Sequence, residues 1–457
     1  MVDMSAHFTA PQLLRYVAPS VAMMVFTSVY SVVDGLFVTN FVGKTAFAAV
    51  NLIMPFIMIL GTLCFMMGAG GSALVAKTRG EGDDARANAL FSLIVYVTLA
   101  AGAVLALTGF ACMESVARLL GASEDMLPLC TLYGRISMLS LPLFMIQYAL
   151  QVMASTAGKP KVGLYATLAS GCTNMVLDLL FVGVMGWGVT GAAAATVASE
   201  FLGGSLLLAY FARPNASALR LGRAAFDLRA LAKTCANGSS EMMASIAMSV
   251  VSVVYNLQLM AYLGEDGVAA YGVIMYAFMI FAALFEGFCM GSAPLMSYQH
   301  GARNTATMRS LFGKSLRIVA VGGVVMFAVA ELCAVPLARI FTGYDAGLCA
   351  LTVHAMRIYA FALFFMGVSM YGSSLFTSVG NGFVSALIAF LRTLVFEVGA
   401  VLLLPLILGA DGIWYSVIVA EVVSVSLTLA LLWWLSPSYG LRDAPARADK
   451  RVARVKR

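Results

Sequence analysis

The residues of this chain best placed to do chemistry are polar and ionisable side chains that interrupt long apolar runs. Asn174 and Asp178 lie four residues apart in one run, hence on one face of a helix. Asp34 lies in an earlier run, and Thr196 in the middle of a later one. Carboxylates with neutral amide and hydroxyl oxygens suit Na⁺, or a proton held by a buried carboxylate. We therefore expect an ion site at these four residues; the alternative is hydrogen bonding between helices alone.

A second set of ionisable residues interrupts apolar runs later in the chain: Glu241, Glu286, Arg392 and Glu397. Ionisable residues at bilayer depth are costly and are functional candidates by default. Glu241 follows a helix-breaking Asn-Gly-Ser-Ser segment, so it is either a helix-entry carboxylate or part of a site. Arg392 and Glu397 are five residues apart, which is not ideal on an α-helix. They pair with each other or each bonds to another helix. We expect this set to contact a solute or to form a second site.

Pro19 precedes Asp34 by 15 residues in the same apolar run. Proline frees a backbone carbonyl and kinks a helix. A kink that responds to protonation of Asp34 would couple ion binding to helix shape. We treat Pro19 as a candidate for that role.

The composition indicates which kind of element carries these residues. The chain is 61% hydrophobic and 11% charged, with a mean hydropathy of +0.92. A soluble domain carries about 25% charged residues. The bilayer is therefore the solvent, and we expect an all-α integral membrane protein.

Several function classes are disfavoured because the sequence lacks the residue patterns on which their chemistry depends. The eight cysteines contain no CxxC pair, and the three histidines are not clustered, so neither a disulfide framework nor a zinc or haem site is expected. No HExxH motif or nucleophilic triad is apparent, so the chain is not expected to be an enzyme. The net charge of +6 reflects asymmetry across a membrane and gives no reason to expect nucleic acid.

Twelve apolar runs are long enough to cross a bilayer, which needs about 20 residues. They are 13–41, 46–75, 88–113, 127–153, 162–187, 190–212, 235–263, 268–297, 316–338, 349–377, 384–408 and 413–435. The first is too long for a signal-peptide core and is read as a retained helix. With a cytoplasmic N-terminus, 22 Lys and Arg fall in or near the inner loops and five near the outer ends. We therefore place both termini in the cytoplasm.

The two halves of the chain match when residue i is set against i+221, or i+222 in the middle of each half. Gly80 then meets Gly301, Arg135 meets Arg357, and Glu200 meets Glu421, which suggests a packing role for that glutamate pair. Six spans in each half make the repeat parallel, with a substrate path between the lobes. We expect an N-terminal lobe at 1–212, a cytoplasmic linker at 213–233, a C-terminal lobe at 234–436 and a basic cytoplasmic tail at 437–457. Such duplication suits a transporter that works by alternating access.

Several segments in order resemble the multidrug and toxic compound extrusion (MATE) family, particularly its MepA-like bacterial branch. They are 31–38, 80–82, 156–160, 174–178, 188–196 and 298–302. The resemblance implies two six-helix bundles around a V-shaped cleft, and export driven by entry of Na⁺ or H⁺. It also implies that Asp34, Asn174, Asp178 and Thr196 match the family's N-lobe cation site, and that Pro19 and Glu241 match family positions. A C-lobe sodium site with a helix 10 aspartate is not expected, because run 349–377 has no acidic residue.

The function expected is an H⁺- or Na⁺-coupled antiporter that exports cationic or amphiphilic organic compounds. The alternative is a flippase for a lipid-linked saccharide. A flippase cavity should be cationic to hold pyrophosphate, whereas the charges inside the spans are mostly acidic. The expected setting is a bacterial cytoplasmic membrane, with lipids and small organic substrates as partners and a functional monomer.

Overall fold

The computed structural model describes residues 4–41, 44–343 and 345–441, with the backbone alone described for 35–41 and 44–48. The predicted basic tail lies outside the described residues from 442 onward. Within the described ranges every regular element is helical.

Twelve transmembrane helices, α1 to α12, follow one another along the described residues. The first half contains α1 (Ala10–Phe41), α2 (Lys44–Gly61 and Leu63–Gly80), α3 (Asp84–Leu119), α4 (Leu127–Thr156), α5 (Pro160–Asp178, continued by Leu179–Val184) and α6 (Gly188–Ala212). The second half contains α7 (228–263), α8 (265–301), α9 (Thr305–Thr342) and α10 (Ala346–Ala360 and Leu363–Ser378). It ends with α11 (Gly382–Phe390, Leu391–Glu397, Val398–Leu403 and Pro405–Leu408) and α12 (Ala410–Leu435).

The count of twelve transmembrane helices depends on how two bent elements are counted, α10 and the helix Leu228–Gly301. Ten helices of the described chain are long and apolar enough to cross a bilayer, and the two segments of α10, bent by 48°, make an eleventh span. One of the ten, Leu228–Gly301, has 74 residues, far more than one crossing needs. It bends at Gly264, whose φ of 66° and ψ of −151° are accessible mainly to glycine. It therefore counts as α7 and α8, and the predicted fold class is confirmed.

The two halves meet where α2 crosses α8. A Cβ atom on Gly80 would collide with the backbone carbonyl of Tyr298, and one on Gly301 would collide with the carbonyl of Lys77. The two contacts are related by the offset of 221 residues, so a pseudo-two-fold axis passes through this crossing. Glycine is required here because the backbones themselves are in contact.

A second pair of crossings obeys the same symmetry. Gly70 of α2 packs against the backbone of α7 at Gly238, and Gly291 of α8 packs against Val17 of α1. Gly291 is the repeat equivalent of Gly70, and Gly238 is the repeat equivalent of Val17, both at the offset of 221 residues. The helices α1, α2, α7 and α8 therefore form a symmetric contact between the halves.

The segment before α1 joins this contact. Gln299 donates a hydrogen bond to the Met4 carbonyl at 2.6 Å, and Lys314 donates one to the Phe8 carbonyl at 2.6 Å. Arg309, close to Lys314 on α9, donates to the carbonyl of Gly440. Both ends of the described chain thus lie on one face of the bundle, called here the terminal face.

Away from the terminal face the halves diverge. Met58 of α2 and Met279 of α8 are repeat equivalents, and they are 45% and 36% exposed. Met58 precedes Gly80 by 22 residues, a distance of about 33 Å along a helix. The bundle is thus closed at the terminal face and wide at the opposite, distal face, as the V-shaped architecture predicts.

Candidate functional site

The close packing of α1 on α5 brings the predicted aspartates together. Phe26, Tyr30 and Asp34 are spaced by four residues and share one face of α1. A Cβ atom on Gly171 would lie 2.9 Å from Tyr30, so glycine lets the α1 aromatic side chains pack directly on α5. Asp178 follows Gly171 by seven residues, and Asp34 follows Phe26 by eight. Because the two helices run in the same direction, both aspartates reach the same depth.

The carboxyl groups of Asp34 and Asp178 lie within hydrogen-bonding reach of each other. Asp178 is fully buried. Its two carboxylate oxygens and Oδ1 of Asp34 accept no hydrogen bond from any donor among the described residues. Two carboxylates in contact repel each other when both are ionised. This pair therefore needs a proton or a bound cation between its oxygens.

The other two predicted residues have different surroundings. Asn174 is 3% exposed, one turn before Asp178 on α5, and its Oδ1 has no hydrogen-bond partner among the described residues. The Oδ1 atom of Asn174 is therefore a further oxygen that can bind a cation beside the two aspartates. Thr196 donates its hydroxyl proton to the Ala192 carbonyl at 3.1 Å, within its own helix. The Thr196 oxygen keeps its lone pairs, and among the described residues no hydrogen bond joins it to either aspartate.

Glu200 is a third carboxylate of this region, beyond the four predicted residues. It lines one cavity with Ser140, whose hydroxyl donates to the Ser137 carbonyl, and it interacts electrostatically with Asp34. Thr196 and Glu200 line a cavity of about 60 Å³ with Tyr133 of α4. A signal for Glu200 was present in the sequence, because Thr196 and Glu200 are four residues apart and share one helix face.

These N-terminal acidic groups contain no base and no soft ligand. Among the described residues no group of three His, Cys, Asp or Glu side chains has a geometry suited to a metal ion. Two carboxylates with amide and hydroxyl oxygens match a proton or a hard monovalent cation instead. The arrangement can thus exchange one small cation for another, or take up and release a proton.

Pro19 lies inside α1, which continues from Ala10 to Phe41. The neighbouring Tyr16 hydroxyl donates to the Ser155 carbonyl at 2.7 Å, and the Ser20 and Ser155 hydroxyls are 3.1 Å apart. The helix is therefore attached to the end of α4 on both sides of the proline. Beyond Ser20, the described part of α1, which carries Asp34, makes no hydrogen bond to α4.

Glu241 and Glu286 come together between the halves. They interact electrostatically with each other and with Tyr148 of α4. Tyr148 packs edge-on against Phe65 of α2, with 4.5 Å between the ring centroids. Two acidic side chains of the second half thus face an aromatic pair of the first half. Of the second set of predicted residues, Glu241 and Glu286 lie in this region, whereas Arg392 and Glu397 lie elsewhere in the second half.

Arg392 and Glu397 both lie on α11 in the second half, and both are half-buried. Arg392 donates two hydrogen bonds to Oε1 of Glu421 on α12, at 2.8 and 2.5 Å. Glu397 interacts electrostatically with Arg392 and with Tyr255 on α7, and the Tyr255 hydroxyl has no hydrogen-bond partner among the described residues. The ion pair between α11 and α12 was not predicted, although bonding of either residue to another helix was one of the alternatives.

Comparisons with known proteins agree with this architecture. A family model described as MatE matches the chain twice, over residues 19–180 and 241–402. The chain is similar to the multidrug export protein MepA of Staphylococcus saprophyticus, with 24% identity over 424 residues that cover 91% of this chain and 92% of the relative.

Solved structures show the same fold. One is the outward-facing conformation of a multidrug resistance MATE family transporter of the MOP superfamily, with a TM-score of 0.89, 21% identity, and coverage of 96% of this chain and 98% of the other. Another is a MATE in complex with MaL6, with a TM-score of 0.90, 21% identity and the same coverage.

Proposed function

Because the chain belongs to the MatE family, we propose that it exports cationic or amphiphilic organic compounds by alternating access, driven by entry of H⁺ or Na⁺. Family membership confirms the resemblance drawn from the sequence motifs. The single observation that carries the coupling proposal is the contact between Asp34 and Asp178 in an otherwise unsatisfied, buried setting.

The coupling site comprises Asp34, Asp178 and Asn174, with Thr196 and Glu200 at its edge. Bringing two ionised carboxylates together without a cation is costly in a low-dielectric interior. A proton or Na⁺ at the pair removes that repulsion and lets α1 pack on α5 as observed. Loss of the cation pushes Asp34 away from Asp178. Ion binding is thereby linked to the position of α1, and Pro19 lies within the segment that Tyr16 and Ser20 attach to α4.

The substrate site is the region of Glu241, Glu286 and Tyr148 between the halves. Two carboxylates attract an organic cation, and an aromatic ring binds it by cation–π interaction. A pyrophosphate group would be repelled by the same carboxylates, so the flippase alternative has no support in this cleft. Phe65, packed on Tyr148, extends the apolar wall that an amphiphilic compound needs.

Alternating access requires that the crossing at Gly80 and Gly301 opens. We propose that the terminal face is cytoplasmic, as the loop charges predict, so that the described conformation is open toward the outside. The moving bodies are the lobes 1–212 and 234–436, joined by 213–233, in a bacterial cytoplasmic membrane. The proposed functional unit is a monomer.

The proposal is tested with purified protein in liposomes that contain a fluorescent organic cation. A pH gradient and a Na⁺ gradient are imposed in separate experiments. Asp34→Asn and Asp178→Asn are compared with Asp266→Asn, which removes an exposed carboxylate at the start of α8. We expect one of the two gradients to drive transport by the native protein and by Asp266→Asn, with at least a tenfold loss in the two site variants.

Undiminished gradient-driven transport by Asp34→Asn would refute the coupling site. Movement of a lipid-linked sugar, with no movement of any organic cation, would refute the substrate class and restore the flippase.

A further inference from the structure

A cavity of about 470 Å³ on the terminal face belongs neither to the coupling site nor to the cleft. Its walls are residues 6–8 before α1, the first part of α1, and residues 158–161 between α4 and α5. Three permanent cations line it, Arg15, Lys159 and Lys161, together with His7. None of its lining residues is an aspartate or a glutamate. Because Arg15 and Lys161 are exposed, the cavity is cationic and open to solvent.

The three cations are not neutralised within the part of the chain that the structure describes. The side chains of Arg15, Lys159 and Lys161 make no hydrogen bond and no ion pair with another described residue. Elsewhere in the same half, Arg79 and Arg86 each reach a carboxylate, on Asp84 and Asp227. An anion bound among the three cations would relieve their mutual repulsion and accept charge-assisted hydrogen bonds from them.

The start of α5 adds backbone donors to the same wall. The helix begins at Pro160, between the two lysines, and Lys159 precedes it without a side-chain cap. The first N–H groups of a helix have no intrahelical partner and carry a partial positive charge. Together with the lysine side chains they form a setting that suits a phosphate group.

The equivalent cavity of the second half shows that this basic set is not imposed by the repeat. That cavity lies where α7 meets the start of α11. At the positions of the three cations it has Ala236, Asn381 and Phe383. Its two lysines, Lys77 and Lys233, occupy other positions, and neither flanks the start of α11. The cluster around α5 is therefore a feature of the first half alone.

An apolar groove of about 530 Å³ lies on the same helix, between α1, α8 and α9. Every residue that lines it is apolar, and its α1 wall begins at Leu14, next to Arg15. Ala18 of the groove follows Arg15 by three residues, so the two share one helix face. A ligand with a phosphate at Arg15 and a hydrocarbon chain along Ala18 would use both the cavity and the groove. A free phosphate ion would use the cavity alone.

We propose that Arg15, Lys159 and Lys161 bind the phosphate of an anionic phospholipid, with one acyl chain in the groove between α1, α8 and α9. Basic pockets at the membrane surface attract anionic headgroups in this way. The lipid is a regulatory ligand and not cargo, so this site goes beyond the proposed export function.

The position of the site links the lipid to the closed terminal face. One wall, residues 6–8, belongs to a segment that is bonded to the second half through Gln299 and Lys314. The opposite wall, residues 158–161, belongs to the first half. A headgroup that contacts both walls should hold the segment before α1 in place and favour closure.

The test is native mass spectrometry of the purified full-length protein, titrated with phosphatidylglycerol or with phosphatidylcholine. We expect the native protein to bind one phosphatidylglycerol molecule more tightly than any phosphatidylcholine. The triple variant Arg15→Gln, Lys159→Gln and Lys161→Gln should weaken that binding about 100-fold, since each basic residue near an anionic lipid is worth about 1 kcal/mol. The matched control Arg213→Gln, Arg223→Gln and Arg229→Gln removes three exposed charges and should bind as the native protein does. Lys161→Gln alone changes an exposed side chain and should weaken binding about fivefold.

Amide hydrogen exchange in vesicles gives a second readout that locates the lipid. Phosphatidylglycerol added to phosphatidylcholine vesicles should slow exchange in residues 4–9 and 157–161 of the native protein and the control, but not of the triple variant. Inorganic phosphate in pure phosphatidylcholine vesicles should not slow it.

The proposal is overturned if the native protein binds the two lipids equally, or if the triple variant and its control lose phosphatidylglycerol to the same extent. It is overturned equally if inorganic phosphate slows exchange as strongly as phosphatidylglycerol, because the ligand would then be a free anion. Because lipid binding is measured without a gradient, these results stand apart from any failure of export in liposomes.

Discussion

Closure of the terminal face should depend on the absence of two side chains. We predict that the double variant Gly80→Ala and Gly301→Ala opens the crossing of α2 and α8. A Cβ atom on Gly80 would lie 2.9 Å from the amide nitrogen of Ala302 and closer still to the carbonyl oxygen of Tyr298, whereas ordinary contact begins at 3.4 Å. The opposing atoms are backbone atoms, so no rotamer change relieves the clash.

The size of the effect follows from this geometry. The backbones must separate by about 1.4 Å before the new methyl groups reach normal contact distance with the opposing carbonyl oxygens. Overpacking of a well-packed contact costs about 1–3 kcal/mol. If the open conformation escapes this cost, the population ratio shifts toward it by about 5- to 150-fold, since 1.4 kcal/mol corresponds to a factor of ten.

The shift is measured by electron–electron double resonance between spin labels at Glu81→Cys and Ala302→Cys, in a background without native cysteines. Both positions are exposed and flank the crossing. Gly313→Ala on α9 is the matched control, because a Cβ atom there meets nothing within 4 Å. We expect a longer distance to become the main population in the double variant and no change in the control.

An unchanged distance distribution in a folded double variant would refute the reasoning, because the glycines would then not determine the closed state. A change of the same size in Gly313→Ala would refute it as well, since the effect would then follow helix propensity rather than the crossing.

Two further predictions concern the neighbouring contacts. Gly171→Val should push Tyr30 away from α5 and separate Asp34 from Asp178, which should lower gradient-driven efflux at least tenfold. The control Gly183→Val should retain efflux, because the nearest contact of a Cβ atom there is at 3.5 Å on its own helix. Full efflux by Gly171→Val would contradict the proposed approach of α1 to α5. Lys314→Met removes the hydrogen bond to the Phe8 carbonyl, worth about 1 kcal/mol, and should accelerate amide hydrogen exchange in residues 4–9 about fivefold. The exposed Arg317→Met should leave that exchange unchanged, and an equal acceleration in both variants would show a loss of charge rather than of the bond.

The helices were predictable because the bilayer imposes one dominant constraint. The run predicted at 127–153 became Leu127–Thr156, and the run at 384–408 became a span from Gly382 to Leu408. Helices such as Asp84–Leu119 extend beyond their predicted run of 88–113, because α-helices continue through polar residues past the apolar layer. The length of an apolar run reflects the thickness of the membrane and does not fix the residue at which the helix ends.

The candidate site was predictable where residues share one α-helical face. Asn174 and Asp178 were placed together by their spacing, and the same rule applied to Thr196 would have added Glu200. Pairing across helices was not accessible in this way. The ion pair of Arg392 with Glu421 involves Leu391–Glu397, a π-helical segment of α11 that no periodicity in the sequence signals.

A symmetric frame with unequal charges gives the ion gradient a way to act on both lobes. The contact of Gly80 with Gly301 lies on the pseudo-two-fold axis, so opening it moves the lobes by related rotations. The acids of the N-terminal lobe, Asp34 and Asp178, have no base bonded to them among the described residues, whereas Glu421 of the C-terminal lobe is paired with Arg392. The N-terminal carboxylates therefore repel each other until a proton or Na⁺ binds, while the C-terminal ion pair is balanced without one. The proposed gradient should then act through the N-terminal lobe on the one shared opening movement. Transport by Asp178→Asn should accordingly lose its dependence on the gradient, and an unchanged dependence would argue that this lobe does not sense the ion.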